Sequence, residues 1–98
     1  MEKICDICGI NFKVEEVEDN GLLGYSIGMS QYSKQLISIL KNIPIELKEQ
    51  TLIHEWLHME LTMNGFIKES ENENLVSVLS NELYRKGFRI KLELKGSN

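Results

Sequence analysis

Proline and tryptophan occur once each in this chain, and cysteine and histidine only twice each. With one proline and seven glycines, the chain cannot be collagenous, low-complexity or linker-rich. No stretch approaches the ~18 apolar residues of a membrane span. The opening Met1-Glu2-Lys3-Ile4-Cys5-Asp6 also lacks the apolar core of a secretion signal. A cytoplasmic protein that engages no membrane is expected. Positive charge is short too, with 11 Lys+Arg against 15 Asp+Glu and a net charge of -4. Nucleic-acid binding draws on clustered cations, so no nucleic-acid partner is expected. The densest basic stretch, Arg85, Lys86, Arg89 and Lys91, is broken by Gly87 and apolar residues and reads as a solvated face.

What is present describes one folded domain over residues 1–98. The chain is 42% hydrophobic and 27% charged, values of a globular protein and not of a disordered one. Its length suits a single core. Cys5 and Cys8 form a C-x-x-C. A zinc ribbon would need a second such pair, and a thioredoxin-type motif a helix start after Cys8, where Gly9-Ile10-Asn11 reads as a turn. The pair is therefore read as two cysteines in a short strand opening a hairpin.

Loose alternation over residues 3–17 predicts that β-hairpin. Asp19-Asn20-Gly21 is a turn signal, and residues 34–40, rich in isoleucine, predict a third strand, with a helix as the alternative. Pro44 then marks the start of a helix over residues 44–63, closed by Asn64-Gly65. On its wheel Leu47, His54, Leu57, His58 and Leu61 share one side, and Leu52, Trp56, Met59 and Met63 the other. Such a two-faced helix is expected to be central, between a sheet and a second helix. That second helix is read from Glu71-Asn72 to Lys86. Phe88, Ile90, Leu92 and Leu94, alternating with charges, predict a final edge strand. The expected fold is α+β: a small antiparallel sheet of about three or four strands, packed on the central helix and the second helix.

His54-Glu55-Trp56-Leu57-His58 matches H-E-x-x-H and uses both histidines of the chain. Residues four apart project side by side from a helix, so two imidazoles can reach one Zn²⁺ at ~2.0–2.1 Å. Glu55 lies round the helix from them, where it reaches a water at the metal instead of the metal itself, the place of a general base. A catalytic zinc takes three protein ligands. With no further histidine, a carboxylate is the economical third, from among Glu69, Glu71, Glu73 and Glu82. Glu73 is preferred and Glu71 comes second, because Glu73 opens the second helix and points with Val76, Ser77 and Ser80 towards the first. Tyr25, Tyr32, Tyr84 and Arg85 are the candidates to steady an oxyanion.

The segments Gln50-Thr51-Leu52-Ile53-His54-Glu55-Trp56-Leu57-His58, Gly65, and Asn72-Glu73-Asn74-Leu75-Val76-Ser77-Val78-Leu79-Ser80 resemble the ImmA/IrrE-type zinc metallopeptidases, in particular their small stand-alone phage and prophage members. The likeness spans about residues 24–84. It implies a reduced gluzincin-like core with one Zn²⁺ on His54, His58 and Glu73, and Glu55 as base. It further implies a peptide or protein substrate held by strand addition along residues 36–40, and, for a phage protein, the host cytoplasm. Two departures stand out: no helix-turn-helix is present, and Ser77 stands four after Glu73, where larger members often carry Asp or Asn. The expected activity is zinc-dependent peptide-bond hydrolysis. The rival is a catalytically silent zinc-binding module that engages a partner in phage or host regulation; the retained Glu55 argues for the enzyme.

Overall fold

The computed structural model describes residues 2–18 and 26–95. Strands β1 (Glu2–Ile7) and β2 (Ile10–Val17) form the expected hairpin, with Ile7 opposite Ile10. The two-residue loop is Cys8-Gly9, both at positive φ (53° and 83°), the backbone that suits the twist of a tight hairpin. Cys5 thus lies in the strand as expected, whereas Cys8 forms the turn itself. The Asp19-Asn20-Gly21 signal and Tyr25 lie outside the described residues.

Among the described residues the sheet has five strands, not three or four, and it is mixed, not antiparallel. Its order is β3-β4-β2-β1-β5, with β3 at Gly28–Gln31, β4 at Leu36–Leu40 and β5 at Glu93–Lys95. β4 runs parallel to β2 and antiparallel to β3. Residues 18–35 separate β2 from β4, enough chain to return to the same end of the sheet, as a parallel pair requires. A 3-10 turn at Tyr32–Lys34 ends on Gln35 at φ 48°, so the third expected strand starts at Leu36. Only Glu93–Lys95 of the predicted last strand pairs, with Glu2–Ile4. Upstream of it, Ile90 and Leu92 pack on the core without a ladder, and the Phe88 ring lies 5.3 Å from that of Trp56.

Alternate residues of the sheet supply one buried face: Cys5 and Ile7, Phe12 and Val14, Ile37 and Ile39. Helix α1 (Ile45–Met63), preceded by Pro44, lays Leu52, Met59, Trp56 and Met63 against that face. Its other side carries α2 (Ile67–Glu71) and α3 (Glu73–Arg85). The helix is therefore central, as its two apolar faces predict. Ile53 on α1 and Val76 on α3 are fully buried. At the end of α1, Gly65 at φ 86° lets its N–H reach the Thr62 carbonyl and that of Phe66 reach the Leu61 carbonyl, closing the helix. The reversal is not directly into the second long helix: α2 intervenes, and Asn72 both ends it and caps α3 by accepting from the Leu75 N–H.

Candidate metal centre

Helix α1 carries His54 and His58 one turn apart, and α3 presents Glu73 from its first turn, where the helix dipole favours a carboxylate. The three side chains converge. His58 Nε2 lies 2.8 Å from Glu73 Oε1, His54 Nε2 lies 3.2 Å from Glu73 Oε2, and the two Nε2 atoms are 3.1 Å apart. Four ligands at ~2.0–2.1 Å from a tetrahedral ion stand ~3.3 Å from one another. The two Nε2 atoms stand close to that separation, and each lies near a different oxygen of the Glu73 carboxylate. Two imidazole nitrogens and a carboxylate oxygen lie within 4.8 Å of one another, so His54, His58 and Glu73 form a group able to hold a metal ion. Glu73 is the open side, with a side chain 67% exposed against 21% and 13% for His54 and His58.

Glu55 faces the same cleft, about 340 Å³, lined also by His54, His58, Glu73, Ser70 and the β3 residues Gly28, Met29 and Ser30. Its carboxylate is mostly buried and accepts from the Ser30 hydroxyl at 3.0 Å. β3 can come this close because residue 28 has no side chain. A Cβ there would lie 2.5 Å from Thr51 Cγ2 and 3.3 Å from Glu55 Cγ. The hydroxyls of Ser70 and Thr62 lie 2.9 and 2.8 Å from the His58 carbonyl, tying α2 to the helix at the second histidine.

The other carboxylates stay apart: Glu82 pairs with Arg85 and Lys86, and neither Glu69 nor Glu71 belongs to a ligand group among the described residues. Of the oxyanion candidates, Tyr25 lies outside the described residues, and Tyr32, Tyr84 and Arg85 do not line the cleft. Tyr32 lines a separate hollow with Ile10, Phe12 and Met63, the Arg89 guanidinium stacks 3.8 Å from the Tyr84 ring, and Arg85 is taken by Glu82. Residues 36–40 do not offer a free edge for strand addition, because β4 is flanked by β3 and β2. The outer edge of β3 has no strand beside it among the described residues, and it borders the cleft.

Ser30, Gly28 and Ser70 are the site residues that sequence reasoning missed. Each acts across a tertiary contact with no local pattern to mark it. Cys5 and Cys8 take no part. Burial, with Asp6 and Glu60 nearby, pushes the Cys5 thiol up to about 11. The Cys8 thiol is also raised, chiefly by donating to Glu60 at 3.2 Å. A cavity of about 440 Å³ lies between the sheet and the first half of α1. Its polar wall consists largely of lysine–glutamate pairs such as Lys13–Glu2 and Lys48–Glu16, and it holds no convergent catalytic groups. No helix among the described residues is long and apolar enough to cross a membrane. Compared with protein-family models, curated proteins and solved structures, the chain matches none.

Proposed function

We propose that this chain is a zinc-dependent metallopeptidase of gluzincin type, akin to the small ImmA/IrrE-type enzymes, with His54, His58 and Glu73 as metal ligands and Glu55 as general base. The observation that carries the reading is the convergence of Nε2 of His54, Nε2 of His58 and the Glu73 carboxylate within 2.8–3.2 Å of one another, beside a mostly buried Glu55. Bound there, Zn²⁺ would supply a Lewis acid for the scissile carbonyl and acidify a water. Glu55 takes the proton of that attacking water and delivers it to the leaving amine. Ser30 holds the Glu55 carboxylate towards the cleft while it does so. An extended peptide would fit the edge of β3 that has no strand beside it among the described residues, its main-chain groups binding it as an added strand with the scissile bond over the histidines.

The test compares the full chain with Glu55→Gln and Glu73→Ala. Metal analysis after loading is expected to find one zinc in the native chain and in Glu55→Gln, with peptide-library hydrolysis lost only in the latter. Glu73→Ala is expected to bind zinc far more weakly. Equal hydrolysis with and without Glu55 would remove the assigned base. Zinc bound in full by a chain that cleaves nothing would favour a silent partner-binding module, and no zinc in the native chain would end the reading.

A further inference from the structure

Ser80 plays no part in the chemistry above, yet it is only 2% exposed and sits behind the metal ligands. Glu73, Ser77 and Ser80 follow one another along one face of α3, at i, i+4 and i+7. The Ser80 hydroxyl donates to the Ser77 carbonyl at 3.2 Å and lies 3.5 Å from Nδ1 of His54. A hydroxyl has one proton. With that proton given to Ser77, Ser80 turns a lone pair towards His54, and a lone pair is satisfied only by an imidazole protonated at Nδ1. In the neutral ring, the form that can ligate a metal, the opposite nitrogen Nε2 then carries the lone pair, and Nε2 is the atom that meets His58 and Glu73.

We propose that Ser80 is a positioning residue that holds His54 in its Nδ1–H tautomer and fixes the ring with the Nε2 lone pair aimed into the metal site. The proposal rests on the metal-site reading above. Ser77 serves through its main-chain carbonyl, which takes the proton of the Ser80 hydroxyl one turn further along α3. A hydroxyl orients the ring without adding negative charge near the ion. Groups that orient metal-bound histidines in this way typically contribute about 10- to 100-fold to metal affinity.

The experiment measures zinc affinity by chelator competition for the full-length native chain, Ser80→Ala, Ser80→Cys and Ser80→Thr. Long-range ¹H–¹⁵N correlations on the zinc-loaded forms follow the His54 ring proton. Ser80→Ala and Ser80→Cys, which lack a good acceptor, are expected to bind zinc about 10-fold or more weakly, with the Nδ1 proton of His54 exchanging faster. Ser80→Thr keeps the acceptor and is expected to restore both. Alanine is the best helix former, so the variant helix should persist, and far-UV circular dichroism of the metal-free chains checks this. A lost structural contact alone would lower metal-free stability and leave the exchange of the ring proton unchanged. Native zinc affinity and native proton exchange in Ser80→Ala would overturn the proposal while leaving the peptidase reading standing. Absence of zinc binding by the native chain would instead remove the reading on which it rests.

Discussion

Replacing Gly28 by alanine tests whether close contact between β3 and α1 sets the place of Glu55. The added Cβ would sit 2.5 Å from Thr51 Cγ2, whereas non-bonded carbons settle at ~3.5–4.0 Å, so something must give by roughly 1 Å. Thr51 cannot swing aside cheaply. It is buried, β-branched, and tied by its hydroxyl to the Leu47 carbonyl at 2.6 Å. Overpacking of this kind costs about 1–3 kcal/mol. Alanine also stiffens the unfolded chain, which returns about 0.4–1 kcal/mol. The strain wins, for a net loss of about 1–2 kcal/mol, and with m of about 1–3 kcal/mol/M the urea midpoint should fall by about 1 M.

A second substitution makes the reasoning specific. Thr51→Ser deletes Cγ2 and keeps the hydroxyl, at a cost of about 0.8 kcal/mol for the lost carbon. In Gly28→Ala/Thr51→Ser the new Cβ takes up the vacated space, so the double variant should be more stable than Gly28→Ala alone, with a coupling of about 1–2 kcal/mol. Peptide hydrolysis should follow the same order, because β3 carries Ser30 to Glu55. A native midpoint for Gly28→Ala would refute the argument. So would single costs that simply add to within about 0.5 kcal/mol.

Ser30→Ala removes a hydrogen bond to a carboxylate worth about 1.5–3 kcal/mol, and turnover is expected to fall roughly 10- to 100-fold. Its zinc content should be unchanged; loss of zinc would show that β3 supports the ligands and not the base. The Cys5 thiol has a folded pKa of about 11 against an ordinary value of 9.0. Below pH 9 both folded and unfolded chains keep the proton and the contribution is complete, whereas from pH 9 to about 11 only the unfolded chain releases it. Folding should therefore weaken by about 2–3 kcal/mol across that window. Urea unfolding from pH 8 to 11 should show this fall in the native chain and less of it in Cys5→Ala, and equal slopes would assign it to other groups.

The candidate metal ligands are legible because their geometry is local. Four residues on a helix place His54 beside His58 whatever the rest of the chain does, and Asn72 caps the helix that begins with Glu73. The direction of α3 was harder to read, since the five residues of α2, Ile-Lys-Glu-Ser-Glu, carry no apolar stripe. β3 was invisible: Gly-Met-Ser-Gln shows no alternation, and the fitness of Gly28 depends on Thr51 and Glu55, residues far along the chain. The parallel pairing of β2 with β4 likewise depends on how residues 18–35 return, which periodicity does not encode. Conversely, the alternation from Phe88 to Leu94 overstated a strand. Side chains that must cover Trp56 and the core impose the same period as a ladder, and only the last part finds a partner in β1.

These two kinds of information meet at Glu55. The helix fixes where its backbone is, but a glutamate has enough freedom to point away from the metal ligands, and a base must be held near its proton to act. The hold comes from the sheet: Gly28 allows β3 to approach, and Ser30 supplies the donor. Among the described residues β3 is also an edge strand, so in the proposed enzyme the segment that steadies Glu55 would be one that could bind an extended chain. A peptide added there would be registered by the same backbone that carries Ser30, which ties the position of the scissile bond to the position of Glu55. If the chain is the proposed peptidase, one strand would then serve both the base and the substrate, which is an economical way to build an active site.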